Sequence, residues 1–338
     1  MNKTIFLAIV FALFTKSVLA LPESSLMSDL KSTIPTFIHE NIKSGEFIGG
    51  GNLKINYLAY KVKNPIGVIA MSPGQAEAAL KYIEFIYDMK DAGYDIFVID
   101  HRGQGTSDRM LKDSVKSHVV NFSDYVDDFT QFVYNVVRPR SYAKSVIVAH
   151  SMGGAIASAF LVRDPKAFSA VVLSAPMIEV NTKGLGYTAA SIVAGGLGLI
   201  GYDDEYAPGQ KAFNAADPFV ENTLTSSEPR FNMFRDMRVE QPVLAVGGTT
   251  VHWVKTTLKF TSKLRKRNNV YQVPTLLLQA EKDTWVKPGG QNEICKVSSP
   301  KFCKIYLVKD SKHEILMERD SIRDNVLAMI RNFIARIN

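Results

Sequence analysis

The chain has 338 residues, 46% hydrophobic and 22% charged. That is enough apolar material for one large domain or two small ones, and it excludes a disordered chain. The formal net charge is +7, a balance that can signal nucleic acid or an anionic surface. Here the cations are scattered, which speaks against nucleic acid. The one dense run, Lys263-Leu264-Arg265-Lys266-Arg267, reads as a solvated face, with contact to anionic lipid headgroups as the alternative.

Residues 1–20 have the pattern of a secretory signal peptide. Lys3 gives the positive start, residues 5–14 are unbroken apolar, and Val18-Leu19-Ala20 is a small-residue cleavage site. The apolar stretch is too short to span a bilayer. Cutting is expected after Ala20, with an uncleaved anchor as the rival reading. The expected destination is a periplasm or the cell exterior. An exported chain meets an oxidising compartment, so the only two cysteines, Cys295 and Cys303, fit one disulfide.

From about residue 53 the chain alternates short apolar runs with helical periods. Residues 66–71, 96–99, 146–149, 171–173, 275–279 and 305–308 read as strands buried on both faces. Residues 77–91 place Leu80, Ile83 and Tyr87 on one helical face, closed by Gly93. Residues 122–137, capped by Ser123, then 152–163 and 321–337 read as further helices. The alternation predicts an α/β protein with a mostly parallel sheet covered on both faces. It breaks between about 178 and 270, which we read as an inserted cap. The Gly-rich apolar stretch from Gly184 to Gly201 lies inside it and is too glycine-rich for a membrane helix.

The sharpest motif is Val146-Ile147-Val148-Ala149-His150-Ser151-Met152-Gly153-Gly154. A buried strand runs into small residues and then into a helix, the context of a nucleophile elbow written Gly-x-Ser-x-Gly. Ala149 stands where the first glycine is usual. A serine needs a base, and the elbow order is serine, acid, histidine. His313 follows the last strand and is the only histidine after a plausible acid. Asp283, just beyond the strand at 275–279, is the expected acid, with Glu281 and Asp310 as rivals. His150 should point away from Ser151, and His39, His101, His118 and His252 are expected to be structural. For an oxyanion, the Met152 N–H is one expected donor. The other comes from the loop Ser72-Pro73-Gly74-Gln75-Ala76-Glu77, with Gln75 preferred and Gly74 as the alternative.

These residues carry a resemblance to bacterial lysophospholipase L2 and the monoacylglycerol-lipase-like α/β hydrolases. The matching stretches are Ser72-Pro73-Gly74 with Lys81-Tyr82, Asp100-His101-Arg102-Gly103-Gln104-Gly105, residues 121–128 and 149–154, residues 224–227 and 247–254 in the cap, and His313-Glu314-Ile315-Leu316 near the end. They span most of residues 45–338. The resemblance implies an α/β-hydrolase fold, a triad of Ser151, Asp283 and His313, oxyanion donors at Gln75 and Met152, and hydrolysis of the single acyl ester of a lysophospholipid. It implies a lipid partner, with contact at a membrane surface through the apolar cap stretch as a further expectation. No metal or organic cofactor is expected. A general carboxylesterase, an aminopeptidase on the same fold, and a non-catalytic binding protein are the competing readings.

Overall fold

The computed structural model describes residues 20–298 and 300–337, so the expected signal segment, apart from Ala20, lies outside the described residues. Eight strands form one sheet in the order β1-β2-β4-β3-β5-β6-β7-β8. They are β1 (Ile42–Ile48), β2 (Lys54–Tyr60), β3 (Gly67–Ser72), β4 (Tyr94–Ile99), β5 (Lys144–His150), β6 (Ala170–Ser174), β7 (Thr275–Ala280) and β8 (Cys303–Val308). From β4 onward across the sheet every pair is parallel; β1 and β2 add antiparallel at one edge.

The six apolar runs correspond to β3 through β8. β3, β4 and β6 are buried at every residue, as continuous apolar runs should be when helices cover both faces. β8 corrects the expectation of burial on both faces. It is the sheet's other edge, and Ile305, Tyr306 and Leu307 are exposed. β1 and β2 were not foreseen.

The helices are α1 (Glu23–Asp29), α2 (Thr33–Asn41), α3 (Ile83–Met89), α4 (Phe122–Gln131), α5 (Met152–Arg163), α6 (Gly186–Leu199), α7 (Glu228–Glu240), α8 (Val251–Arg265), α9 (Pro288–Val297) and α10 (Asp320–Ala335). The helix expected from residue 77 is shorter, because residues 73–78 form a loop and a tight turn, Ala79–Tyr82, precedes α3. Gly93 ends that unit at φ 78°, a left-handed position that suits glycine. The cap of α4 is Asn121 and not Ser123: Asn121 N–H donates to Asp124 Oδ2 at 3.2 Å. α4 then opens into a wider π-type turn over Phe132–Val137.

α5 packs on β3, β5 and α4, and α9 packs on β7 and β8. Between β6 and β7 the chain carries α6, α7 and α8. α8 packs on α4 and α5, α6 packs on α8, and α7 packs on α1. Among the described residues no helix is long and apolar enough to cross a membrane. Cys295 at the end of α9 and Cys303 at the start of β8 are joined as a disulfide, with Cα atoms 5.4 Å apart.

Candidate active site

The site gathers at the carboxyl ends of the parallel strands, where such sheets place their loops. Ser151 follows the last residue of β5 and precedes α5, with φ 49° and ψ −116°. That backbone is sparsely populated for a residue with a Cβ and persists only where its surroundings enforce it. The Ser151 N–H donates to Ser174 O at 3.0 Å, and its carbonyl accepts from Met177 N at 2.8 Å. Both flanking glycines are forced by close approach. A Cβ on Gly153 would lie 1.9 Å from Ser72 O, and one on Gly154 would lie 2.5 Å from Pro176 Cβ. Ala149 needs no such freedom. It sits within β5 opposite Ser72 and Leu173, without positive φ, so alanine fits where glycine is usual.

Ser151 Oγ lies 2.8 Å from His313 Nε2, and His313 Nδ1 lies 2.7 Å from Asp283 Oδ2. Asp283 Oδ1 accepts from the Trp285 and Val286 N–H groups at 2.7 and 3.1 Å. Burial alone would raise the Asp283 carboxyl, but the His313 hydrogen bond and charge, with the two backbone donors, hold it below the ordinary aspartate range. An ionised carboxylate can only accept. Nδ1 therefore carries the proton, and Nε2 is left to accept from the serine hydroxyl. The rivals are elsewhere: Glu281 accepts from Asp310 N at 2.9 Å, and Asp310 pairs with Lys282 at 2.6 Å on the surface.

The loop after β3 is held by the motif after β4. Gln104 Nε2 donates to Gly74 O at 2.7 Å and to Glu77 O at 2.9 Å, and Gln104 Oε1 accepts from Ala76 N at 3.1 Å. Asp100 accepts from Ala79 N at 2.6 Å and from Thr106 N at 2.8 Å. Gly105 passes so close to Asp100 that a Cβ would meet Oδ1 at 2.0 Å. His101 lies 2.8 Å from Ser72 Oγ through Nε2, and burial pushes its imidazole down to about 3. The Asp-His-Arg-Gly-Gln-Gly stretch is thus the scaffold of the loop that approaches Ser151. Within that loop the Gly74 N–H is taken by Glu77 Oε2 at 2.5 Å and the Ala76 N–H by Gln104. Met152 opens α5, where a helix leaves its N–H groups without intrahelical partners.

Beside the loop lies a buried charge cluster whose members the resemblance touched without assigning them a role. Lys81 Nζ bridges Glu77 at 2.7 Å and Glu314 at 2.6 Å, and Tyr82 Oη donates to Glu77 at 2.7 Å. Burial opposes the Glu77 charge, but Lys81, His150 and Tyr82 outweigh it and hold the carboxyl at about 2. The Glu77/Lys81 spacing of four residues was the one signal of this pairing in the local sequence. His150 turns from Ser151 toward Ser174 O, 3.1 Å from Nδ1, and its ring centroid lies 4.9 Å from that of His313. Burial pushes it down to about 4 although Glu77 pulls the other way. His118 and His252 pack together, 5.3 Å apart, and His39 is exposed on α2. In the basic run, Arg265 pairs with Glu293 at 2.8 Å and Glu179 at 3.2 Å, while Lys263, Lys266 and Arg267 are exposed.

Comparisons with known proteins give the family and the fold. A family model described as serine aminopeptidase, S33, matches residues 63–320. Lysophospholipase L2 of Escherichia coli strain K12 is 34% identical over 298 residues, covering 87% of this chain and 87% of that protein. A probable lysophospholipase L2 of Haemophilus influenzae is 31% identical over 261 residues, 77% of this chain and 81% of that one. Among solved structures, a soluble variant of monoglyceride lipase from Saccharomyces cerevisiae in complex with a substrate analog has a TM-score of 0.69 at 17% identity, over 88% of this chain and 96% of that one. A thermostable carboxyl esterase from Bacillus coagulans gives 0.68 at 16%, over 88% and 99%. At such identity the likeness concerns the fold, which is that of the α/β hydrolases. On sequence, the chain belongs to the serine aminopeptidase S33 family of α/β hydrolases, in the group that holds lysophospholipase L2.

Proposed function

We propose that the protein is an exported lysophospholipase that cleaves the single acyl ester of a lysophospholipid through a covalent acyl-serine. As a member of this group it is a carboxylic ester hydrolase acting on lipid esters. The observation that carries the finer reading is the continuous hydrogen-bonded line Ser151–His313–Asp283, with steps of 2.8 and 2.7 Å. Ser151 Oγ attacks the acyl carbonyl carbon while its proton passes to His313 Nε2, and Asp283 stabilises the imidazolium without taking the proton. The N–H groups of Met152 and Gln75 face the oxygen that becomes negative; Gln75 is favoured over Gly74 because the Gly74 N–H already serves Glu77. The glycerophosphodiester leaves with the proton from Nε2. Water, deprotonated at the same nitrogen, then attacks the acyl-serine and releases the fatty acid.

The segment 178–270 acts in this reading as a cap, and α6 as its lipid-facing part. Only Ala194 of that helix is buried, while Ile192, Leu199 and Ile200 project into solvent. Several exposed apolar side chains on one short segment suit an interaction site. Residues 1–20 direct export, consistent with a chain whose two cysteines pair.

The test is turnover of lysophosphatidylcholine, monoolein and p-nitrophenyl butyrate by the chain from Leu21 onward, beside Ser151→Ala. We expect preference for the lysophospholipid and a loss of kcat of about 10⁵-fold or more in the variant, with the melting temperature retained. Turnover of the short ester alone would replace the lipid reading with a general esterase, and full activity in the variant would remove Ser151 from the mechanism.

A further inference from the structure

Among the described residues, Arg238, on α7, has no carboxylate partner. Its guanidinium carbon lies 4.1 Å from the Phe213 ring centroid and 4.4 Å from that of Phe234. Its Nε is buried and has no hydrogen-bond acceptor. The buried arginines Arg102 and Arg230 differ, each having a carboxylate within 2.8 Å. The Phe234 ring lies 4.8 Å from Lys81 Nζ, which holds Glu77 and Glu314 on its other sides. Glu314 follows His313, so Arg238 stands one ring beyond the cluster that underlies the base and the oxyanion loop. Burial pushes its guanidinium down to about 10, and the more distant charges of Glu314 and Glu77 only partly offset this.

Arg238 is half-buried, but a buried donor such as its Nε is costly unless matched, and two aromatic faces satisfy its charge but not that donor. The two rings hold the guanidinium in place while its Nε stays without an acceptor, which is how a protein can present arginine to a phosphate. We propose that Arg238 binds the headgroup phosphodiester of the substrate and so makes the site prefer a lysophospholipid over an uncharged monoacylglycerol. This rests on the lysophospholipase reading. That substrate carries its phosphodiester on the same glycerol as the scissile ester, so one cation near the site can engage it.

The test compares kcat/KM for oleoyl lysophosphatidylcholine and monoolein, both in the same neutral detergent micelles, for the wild type, Arg238→Gln and Arg238→Lys. Their ratio is independent of the folded fraction of a sample, and equal micelle charge separates the substrate's phosphate from an anionic surface. We expect the ratio to fall about thirtyfold or more in Arg238→Gln, with Arg238→Lys intermediate because it keeps the charge and loses the fork. A wild-type preference that survives Arg238→Gln overturns the assignment alone. A wild type that hydrolyses monoolein and not the lysophospholipid overturns the parent reading, and Arg238 with it.

A separate observation concerns Leu21. Its backbone N–H is buried and donates to Asp88 Oδ1 at 2.9 Å, and its carbonyl accepts from Arg230 Nη2 at 3.2 Å. The other Asp88 oxygen lies 2.7 Å from Arg323 Nη2. Carboxylates are in excess here, since Glu84 and Asp320 also face Arg230. We infer that hydrolysis of the Ala20–Leu21 bond, which leaves a carboxylate on Ala20 and an ammonium on Leu21, creates a buried ion pair with Asp88 that locks the processed N-terminus into the fold. A chain beginning at Leu21 should melt roughly 2 °C or more above the same chain retaining Ala20, whose amide keeps the hydrogen bond but not the charge. Equal melting temperatures overturn this inference.

Discussion

Two parts of the molecule are built in opposite ways. Around Ser151 the carboxyl ends of β3, β4 and β5 are packed until no side chain fits: Gly153 lies against the backbone of Ser72 and Pro73, and Gly105 against the Asp100 carboxylate. Almost every polar group there has a named partner. Between β6 and β7, α6 carries Gly195 and Gly196 with nothing within 4 Å of a Cβ at either, and Leu199 is 90% exposed. The first region fixes atoms in place, as acyl chemistry requires. The second leaves apolar surface uncovered, at a cost that a protein facing only water would have reason to avoid. The difference is between a region that holds the candidate reacting groups and one that leaves an apolar surface open.

The same substitution should have opposite signs in the two regions, and this is the largest expected effect. Gly153→Ala puts a methyl 1.9 Å from a backbone oxygen in a strand that cannot retreat. It should cost about 4 kcal/mol or more and abolish activity with the displaced loop. Gly195→Ala, in an open helix interior, should be neutral or stabilise by up to about 1 kcal/mol. Urea midpoints for the two variants decide it. Equal losses would mean that α6 is packed as tightly as the elbow, and the contrast would disappear.

Much of this was legible in the sequence, and the limits have physical reasons. β3 to β7 announce themselves because strands buried on both faces must be short and wholly apolar. β1 and β2 do not: their burial alternates weakly, and an edge hairpin needs only one apolar face. The hydrogen-bonded line of Ser151, His313 and Asp283 was partly legible, because the elbow points to the first and chain order to the second, whereas order and residue type left Glu281 and Asp310 open beside Asp283. The partnerships of Gln104 and Lys81 were not. Gln104 reaches back 30 residues to Gly74, a contact set by which strand ends are neighbours in the sheet. Lys81 pairs with Glu314 only because the first and last loops meet there.

The buried side makes a second prediction, about acid. His101 and His150 are held neutral, at about 3 and about 4, whereas in an unfolded chain each would protonate near pH 6.5. Below that pH the unfolded state binds protons that the fold does not, so stability is full above about pH 6.5 and declines as pH falls toward 4 and 3. Glu77, held at about 2, has the same sign and adds its loss below about pH 4.5. A tenfold change in proton affinity is about 1.4 kcal/mol, so the combined slope should be steep. Urea midpoints between pH 8 and 3.5 should show it, and His150→Gln should make the slope shallower between pH 6.5 and 4. A flat profile would mean that the polar base of the site is more hydrated than its burial indicates.

The smallest expected change in stability lies on α6 and tests the other half of the contrast. Ile192 and Leu199 are 69% and 90% exposed, so replacing both with serine removes little that the fold has buried. Stability should move by no more than about 0.5 kcal/mol per site. If these side chains enter a lipid surface, the same change removes two apolar groups from that contact. At about 25 cal/mol per Å² of buried apolar area, binding to phosphatidylcholine vesicles should weaken roughly tenfold. Turnover of micellar lysophospholipid should fall with it, while p-nitrophenyl butyrate, which needs no surface, should be hydrolysed as before. Loss on both substrates would place α6 in the chemistry. Unchanged vesicle binding would leave its apolar face without the lipid role that its exposure suggests.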